Sequence, residues 1–224
     1  FEFDKLIDML NHSFGSLRRG SEPEKGKAPV FNNKVTVHNK ELSEAHICIG
    51  VEGIPVASDD RYVLFLLNTI LGAGVSSRLF QEIREKRGLV YSIYSYISAY
   101  LDTGVWAVYA GTGRKRVAQV MELIVKEMRE LADNMTEIEL ERAKAQLKGN
   151  LILGLESTSS RMQNIARQEI YYGRYYSPSE LIKDINAVDL KRVKELSKRL
   201  MSQNAFAVTV LGPVNEGDIK GIAG

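Results

Sequence analysis

Cysteine is nearly absent from this 224-residue chain, in which Cys48 is the single example. Histidine is also scarce, with three residues scattered along the sequence. A single cysteine excludes an internal disulfide framework, and this composition excludes a cysteine-rich zinc site. No apolar run approaches the roughly 20 residues that a membrane-spanning helix requires. The N-terminus also lacks the basic, apolar and small-residue order of a secretion signal. We therefore expect no membrane partner and a cytoplasmic location.

An excess of charge of one sign is also missing, because 30 basic residues stand against 28 acidic ones. This balance gives no overall field that would attract nucleic acid or an anionic membrane. Two local stretches, "YYGRYY" at 171–176 and "RKR" at 114–116, leave a nucleic-acid hypothesis open, and it predicts steeply salt-dependent binding. The alternative for the first stretch is a helix end that packs its aromatic rings and stops at Gly173. We favour that alternative and expect no nucleic-acid partner.

The first 33 residues differ in pattern from the rest. "FDKLIDMLNHSFGSL" places apolar side chains at helical spacing and stops at Gly15, which predicts one amphipathic helix in residues 1–17. "RRGSEPEKGKAPVFNN" has two glycines, two prolines and no periodicity, which is typical of a linker. We therefore place a linker at 18–33 and one domain at 34–224.

Alternating apolar residues predict strands at "KVTVHN", "EAHICIGVEG", "VYSIYSYISAY", "GVWAVYAG" and "NAFAVTVLG". The third and fourth of these predict an antiparallel hairpin joined by "LDTG". Helical spacing predicts one helix at 58–71, a second helix that begins at Leu79, and several helices that occupy most of 114–202. Strands followed by helices and a last strand indicate an α+β fold, a two-layer sandwich with a mainly antiparallel sheet and helices covering one face.

Two helix starts carry specific capping signals. Thr136 followed by Glu139 has the spacing of a capping box. Ser177, Pro178 and Glu180 supply a cap, a first-turn proline and a reciprocal acceptor. These signals predict that helices begin just after Thr136 and Ser177.

Motifs for metal or nucleophilic chemistry are incomplete. In "HNKEL", His38 and Glu41 have the first spacing of the inverted zinc motif H-x-x-E-H, but position 42 is leucine. A catalytic zinc needs about three protein ligands, so we predict no metal site in this chain. "LGAGVSSRLF" lacks the lysine of a phosphate loop, and Ser76 and Ser77 are better explained as helix caps. Cys48 lies in mid-strand, where a small buried residue is usual, so we predict no catalytic residue.

The segment "SSRLFQEIREKRGLVYSIYSYIS" leads an arginine-rich helix into a tyrosine-rich strand through one glycine. Cations in a last helical turn are explained by the helix dipole alone, but that effect does not explain the tyrosines. Arg84 near the helix end and Tyr91 at the strand start can both project from one end of the sheet. Two converging donors suit a backbone carbonyl, which accepts through two lone pairs.

Three long segments carry a resemblance: "LGAGVSSRLFQEIREKRGLVYSIYS", "ELERAKAQLKGNLILGLESTSSRMQNIARQEIYYGR" and "AVTVLGP". Together they resemble the C-terminal, non-catalytic domain of the insulinase-like zinc peptidases, which include pitrilysin and the mitochondrial processing peptidase. The resemblance covers about residues 34–213 and implies the insulinase-like metallohydrolase fold. The leading helix in residues 1–17 resembles the end of the preceding catalytic domain.

The resemblance implies a division of labour between two domains. The catalytic domain, which is missing from this sequence, carries the zinc motif, and the C-terminal domain supplies an arginine and a tyrosine seven residues apart. Matched to this sequence, these residues are Arg84 and Tyr91, which would bind a peptide substrate. The chain alone would then be inactive, with no cofactor of its own and with zinc in the missing domain. The resemblance also implies a homologous catalytic domain or subunit as a partner, in a homo- or hetero-oligomer.

In the family that this sequence resembles, some proteins have lost catalysis and act as partner subunits. A second hypothesis is therefore a catalytically inactive assembly subunit of a processing-peptidase-like complex. The presence of both Arg84 and Tyr91 favours the first hypothesis. An intact zinc motif in a neighbouring domain would distinguish the two.

Overall fold

A computed structural model describes residues 2–18, 20–21, 26–202 and 206–219. Five strands form its sheet: β1 (Val35–Asn39), β2 (Ala45–Glu52), β3 (Val90–Ala99), β4 (Gly104–Thr112) and β5 (Ala207–Gly212). Their spatial order is β1-β5-β2-β4-β3. The β1–β5 pair is parallel and the other three pairs are antiparallel. The prediction of a mainly antiparallel sheet is confirmed.

Seven α-helices lie in the described residues: α1 (Phe3–Phe14), α2 (Arg61–Leu71), α3 (Val117–Asn134), α4 (Glu137–Gly154), α5 (Thr158–Tyr172), α6 (Pro178–Asn186) and α7 (Leu190–Met201). A π-helix spans Phe80–Glu85, and short 3₁₀ turns span Arg114–Arg116 and Glu216–Ile219. Helices α2, α3 and α7 pack against the sheet, whereas α4 packs on α2, and α6 on α4.

The core lies between one face of the sheet and these helices. Along β2, Ile47, Ile49 and Val51 are buried, as their alternation predicts, and Val208 and Val210 of β5 are buried beside them. The α+β prediction, with helices on one face of the sheet, is thereby confirmed.

A buried indole joins the sheet to the helical layer. Trp106 of β4 is fully buried, and its Nε1 donates to Asn68 Oδ1 of α2 at 3.0 Å. The hydroxyl of Ser95 on β3 donates to the Asn68 carbonyl at 3.1 Å. Two adjacent strands are therefore held to one residue of α2, which fixes the helix relative to the sheet.

The two predicted capping boxes are present. The Thr136 hydroxyl accepts from the Glu139 amide while the Glu139 carboxylate accepts from the Thr136 amide, and Ser177 and Glu180 repeat the arrangement at α6. The predicted end of α5 is also confirmed, because Gly173 has φ +65° and its amide donates to the Glu169 carbonyl. The left-handed conformation favours glycine at this position.

One local prediction is wrong. Ser77 does not cap the following helix through its side chain, because its hydroxyl donates to the Gly74 carbonyl at 2.6 Å. Before α2, the Asp60 carboxylate accepts from Arg192 and Arg199 of α7. In both cases the side chain makes a contact that stabilises the tertiary structure or the preceding loop.

The first helix has no buried residue in this structure. Its larger apolar side chains are all exposed, between 38% for Leu6 and Ile7 and 66% for Phe3. The assignment of residues 1–17 to a preceding domain stays a prediction, as does the linker at 18–33, of which Arg19 and residues 22–25 lie outside the described residues. No helix in the described ranges is long and apolar enough to cross a membrane.

Candidate functional site

The predicted site lies where the π-helix turns into β3. The Gly88 amide donates to the Arg84 carbonyl at 3.0 Å, and the Leu89 amide donates to the Ile83 carbonyl at 3.1 Å. Gly88 has φ +59°, a conformation that glycine adopts without steric cost. The turn is closed from the other side by Arg116, whose Nη1 donates to the Gly88 carbonyl at 2.6 Å. The short distance along the chain from Arg84 to Tyr91 is therefore bridged by a fixed turn.

Two of the three cations at this turn share one acidic partner, and the third stacks on an aromatic ring. Glu82 accepts from Lys86 and from Arg87, whose Nη1 is 2.9 Å from Glu82 Oε2. Hydrogen bonds from Lys86 and Arg87 hold the pKa of Glu82 below its usual value. Arg84 is exposed and stacks on Phe80, with Cζ 4.8 Å from the ring centroid. Within the described part of the chain, Arg84 makes no ion pair or hydrogen bond, so its guanidinium donors are available.

Tyr91 occupies an irregularity in the edge strand β3. Val90 pairs with Thr112 and Ser92 with Gly111, which leaves Tyr91 as the extra residue of a β-bulge. Bulges bend a strand and change the direction of a side chain. The side chain of Tyr91 is 67% exposed. Both predicted residues therefore lie on the surface at one corner of the sheet.

The other candidate residues are not brought together into a metal site. His38 is on β1, paired with Leu211, whereas His12 is on α1. No group of three or more His, Cys, Asp or Glu side chains in the described ranges is placed to hold a metal ion. The residues described here therefore do not fit a zinc ion.

The sheet face away from the helices carries an aromatic cluster that the sequence analysis did not predict. His46 Nδ1 and the Tyr109 hydroxyl are 2.8 Å apart, and the rings of Tyr94 and Tyr109 have centroids 5.1 Å apart. Cys48 lies on this face and is half-buried rather than buried, and burial raises the pKa of its thiol. In the sequence of β3, Tyr94 and Tyr96 alternate with Ile93 and Ser95. This alternation is the signal that could have revealed an aromatic face.

A second unpredicted cluster surrounds Arg61 at the start of α2. Its Cζ lies 4.6 Å from the ring centroid of Tyr62, 5.3 Å from that of Tyr172 and 5.5 Å from that of Tyr176. The sequence analysis correctly predicted that "YYGRYY" packs at a helix end, but nothing in the sequence joined that stretch to Arg61, more than 100 positions earlier.

Solved structures share the fold of this chain over nearly its whole length. A chain in the structure titled Complex III2 from Candida albicans, Inz-5 bound, superposes with a TM-score of 0.84 at 26% identity, over 95% of this chain and 53% of that one. The crystal structure of a peptidase M16 inactive domain from Pseudomonas fluorescens gives a TM-score of 0.83 at 21% identity, over 95% of this chain and 52% of that one. The second likeness is evidence for the fold alone.

Sequence comparison then gives the family. The profile described as the Peptidase M16 inactive domain matches residues 1–147. The uncharacterized zinc protease YmxG of Bacillus subtilis (strain 168) is 40% identical over 211 residues, which are 94% of this chain and 51% of YmxG. The uncharacterized zinc protease Rv2782c of Mycobacterium tuberculosis (strain H37Rv) is 36% identical over 95% of this chain and 50% of that protein. This chain belongs to the peptidase M16 family and matches its inactive, C-terminal domain.

The chain spans about half the length of these relatives. The relatives carry the name zinc protease, and the family resemblance predicted from the sequence is confirmed. The peptide-binding role of Arg84 and Tyr91 stays a prediction.

Proposed function

We propose that this chain is the substrate-binding half of a zinc-dependent endopeptidase, which holds an extended peptide while a homologous catalytic domain or subunit hydrolyses it. Family membership and zinc-protease relatives of twice the length support this proposal. The observation that carries it is the guanidinium of Arg84, which has no ion pair or hydrogen bond among the described residues, beside two cations that are both engaged by Glu82.

The proposed roles follow from the donors at the corner. Arg84 offers guanidinium N–H groups, and Tyr91 offers one phenol O–H group. We propose that both groups donate to backbone carbonyls of the peptide and help to neutralise the charge that develops on the scissile carbonyl oxygen. Loss of one such donor typically costs a few kcal/mol in the transition state.

Zinc would be held by the catalytic partner, where it would polarise the carbonyl and activate a water molecule. The residues of this chain would bind and position the peptide, and they would not form or break a bond. The chain alone is accordingly proposed to be inactive.

The test compares substitutions in the complete enzyme on a neutral fluorogenic peptide. We expect Arg84→Ala and Tyr91→Phe each to lower kcat/KM at least tenfold, because each removes a donor to the transition state, with no change in the thermal unfolding midpoint. Lys86→Ala is the matched control, since this neighbouring cation is engaged by Glu82, and it should retain near-normal kcat/KM. Unchanged kcat/KM in both site variants would refute the binding role.

The second candidate function is an inactive assembly subunit. The likeness to a chain of a solved Complex III2 structure supports it, because that structure is a multi-subunit complex by its own description. If the complete wild-type protein cleaves no peptide in the presence of zinc and co-purifies with a second, homologous subunit, this candidate replaces the first.

A further inference from the structure

A cavity of about 550 Å³ lies between α2, α5 and the end of β3. Six aromatic side chains line it: Tyr62, Phe65, Tyr100, Tyr171, Tyr172 and Tyr176. It lies at the opposite end of β3 from Tyr91, roughly 25 Å away at about 3.3 Å per strand residue. This cavity is separate from the Arg84 and Tyr91 corner, and its volume is in the range of small-molecule sites.

The charge of the cavity lining is of one sign. Arg61 and Arg167 line it, and no aspartate or glutamate of the described chain does. The Arg61 side chain is only 14% exposed, and Asp184, which is not part of the lining, is 3.7 Å from its guanidinium. Arg61 is therefore partly neutralised and fixed among the tyrosine rings. It contributes positive potential to the cavity, and its side chain is already ordered before a ligand binds.

Arg167 differs from Arg61 in its availability. It lies on α5, is exposed, and makes no ion pair or hydrogen bond with the residues that the structure describes. Its guanidinium can therefore pair with a carboxylate in the planar, two-bond geometry that arginine favours.

Phenol rings form part of the cavity wall. The Tyr172 hydroxyl donates to the Val56 carbonyl at 3.2 Å, which fixes that ring in the wall. Burial raises the pKa of the Tyr62 and Tyr172 phenols, so that neither adds a negative charge at neutral pH. The rings present flat apolar surfaces on which another flat ring stacks favourably.

We propose that this cavity binds a small organic carboxylate with a flat aromatic body, the body stacking on the tyrosine and phenylalanine rings and the carboxylate pairing with Arg167. Charge complementarity supports an anion, because the lining has two cations and no acid. The six aromatic rings support an aromatic body rather than a small inorganic anion. This proposal does not depend on the peptidase function.

The test uses two probes of nearly the same shape, the anion indole-3-acetate and its uncharged amide indole-3-acetamide, titrated calorimetrically into the full protein at low salt. We expect the acetate to bind at least fivefold more tightly than the acetamide, and this preference to weaken at high salt because salt screens the exposed Arg167. Arg167→Gln should remove the preference. Lys126→Gln on α3, an exposed cation outside the lining, is the matched control and should retain it.

A folding defect is excluded by measuring the thermal unfolding midpoint of each variant. Equal affinities for the two probes, or an undiminished preference in Arg167→Gln, would overturn the proposal. So would failure of both probes to bind. Binding of an acidic peptide but not of indole-3-acetate would also overturn it, in favour of a peptide site.

Discussion

Two glycines show how differently the same residue type is used at separate positions. At Gly72, just after α2, an added Cβ would lie 2.5 Å from the Ser95 amide nitrogen and 2.6 Å from the Ser95 hydroxyl. The Gly72 carbonyl accepts from the Ser95 amide at 3.2 Å. The end of α2 can approach the edge of β3 this closely only without a side chain. At Gly149, inside α4, an added Cβ would meet nothing within 4 Å.

We therefore expect opposite effects from the two alanine substitutions. Gly72→Ala should lower the free energy of unfolding by about 1–3 kcal/mol, because the backbone of β3 must move. Gly149→Ala should raise it by roughly 0.5–1 kcal/mol, because alanine favours a helix interior over glycine. Urea unfolding monitored by circular dichroism measures both. A neutral Gly72→Ala variant would show that the α2–β3 contact relaxes without cost.

The proposed site shows at the residue scale how far sequence reasoning extends. Arg84 and Tyr91 could be placed at one corner because a helix, a glycine and a strand follow in order. The bulge at Tyr91 was missed, although Val90 and Ile93 are both buried and three positions apart, a separation that simple alternation cannot place on one face. The sequence could not predict that the Arg84 guanidinium is available to a ligand, because this depends on Glu82 pairing with Lys86 and Arg87.

At the scale of elements, one carboxylate joins the start of α4 to Arg78, in the helical residues directly before the π-helix. Glu139 completes the capping box with Thr136 and also accepts two hydrogen bonds from Arg78, from Nε at 2.7 Å and from Nη2 at 2.9 Å. Partial burial of Glu139 opposes its ionisation, but the hydrogen bonds from Arg78 and Thr136 outweigh that cost and lower its pKa. The capping role was predictable from local spacing, whereas Arg78, 61 positions away, was not.

This lowered pKa gives a pH-dependent prediction. The stabilisation from the Glu139 carboxylate is fully present above the unfolded-state pKa of about 4.3 and is lost as the pH falls through the lower folded-state value. Glu139→Gln retains a side chain that serves in capping boxes but removes the charge. We expect it to lower the free energy of unfolding at pH 7 by about 1 kcal/mol, a modest value because the carboxylate is partly exposed.

The difference between Glu139→Gln and wild type should shrink as the pH is lowered from 7 to 3, measured by urea unfolding at several pH values. Glu180→Gln, at the other capping box, is the comparison, because its Arg174 partner is exposed and a smaller effect is expected. An equal difference at pH 7 and pH 3 for Glu139→Gln would contradict an ionic contribution.

At the scale of the whole molecule, the first helix contributes no residue to the hydrophobic core. Helix α1 buries none of its residues, whereas the core is built entirely from later elements. Isolated helices of about this length are marginally stable in water. The predicted preceding domain would explain why the apolar side chains of α1 are exposed, because that domain would cover them.

We expect a chain of residues 34–224 to unfold with the same free energy as residues 1–224, within roughly 0.5 kcal/mol. The physical reason is that α1 buries none of its own residues and contributes none to the core. Chemical unfolding of the two chains under identical conditions makes the comparison. A large loss of stability on truncation would mean that residues 1–33 belong to this domain.

The sheet shows why whole-molecule topology was harder to predict than its elements. Alternation located all five strands, because successive side chains along a strand point to opposite faces of the sheet. It did not predict that β5 lies between β1 and β2, since the strand pattern contains no information on neighbours. The π-helix was likewise missed, because Leu79, Phe80 and Ile83 also fit ordinary helical spacing.

The position of β5 has a consequence for the order in which the protein can assemble during synthesis. β1 and β2 are separated by only five residues, 40–44, yet neither is bonded to the other, because the strand between them begins at Ala207. A ribosome must therefore add more than 150 further residues before that gap in the sheet can be filled. Until then the nascent domain has an open slot with unpaired backbone groups on both sides, which favours delayed, late-stage closure and exposure to chaperones.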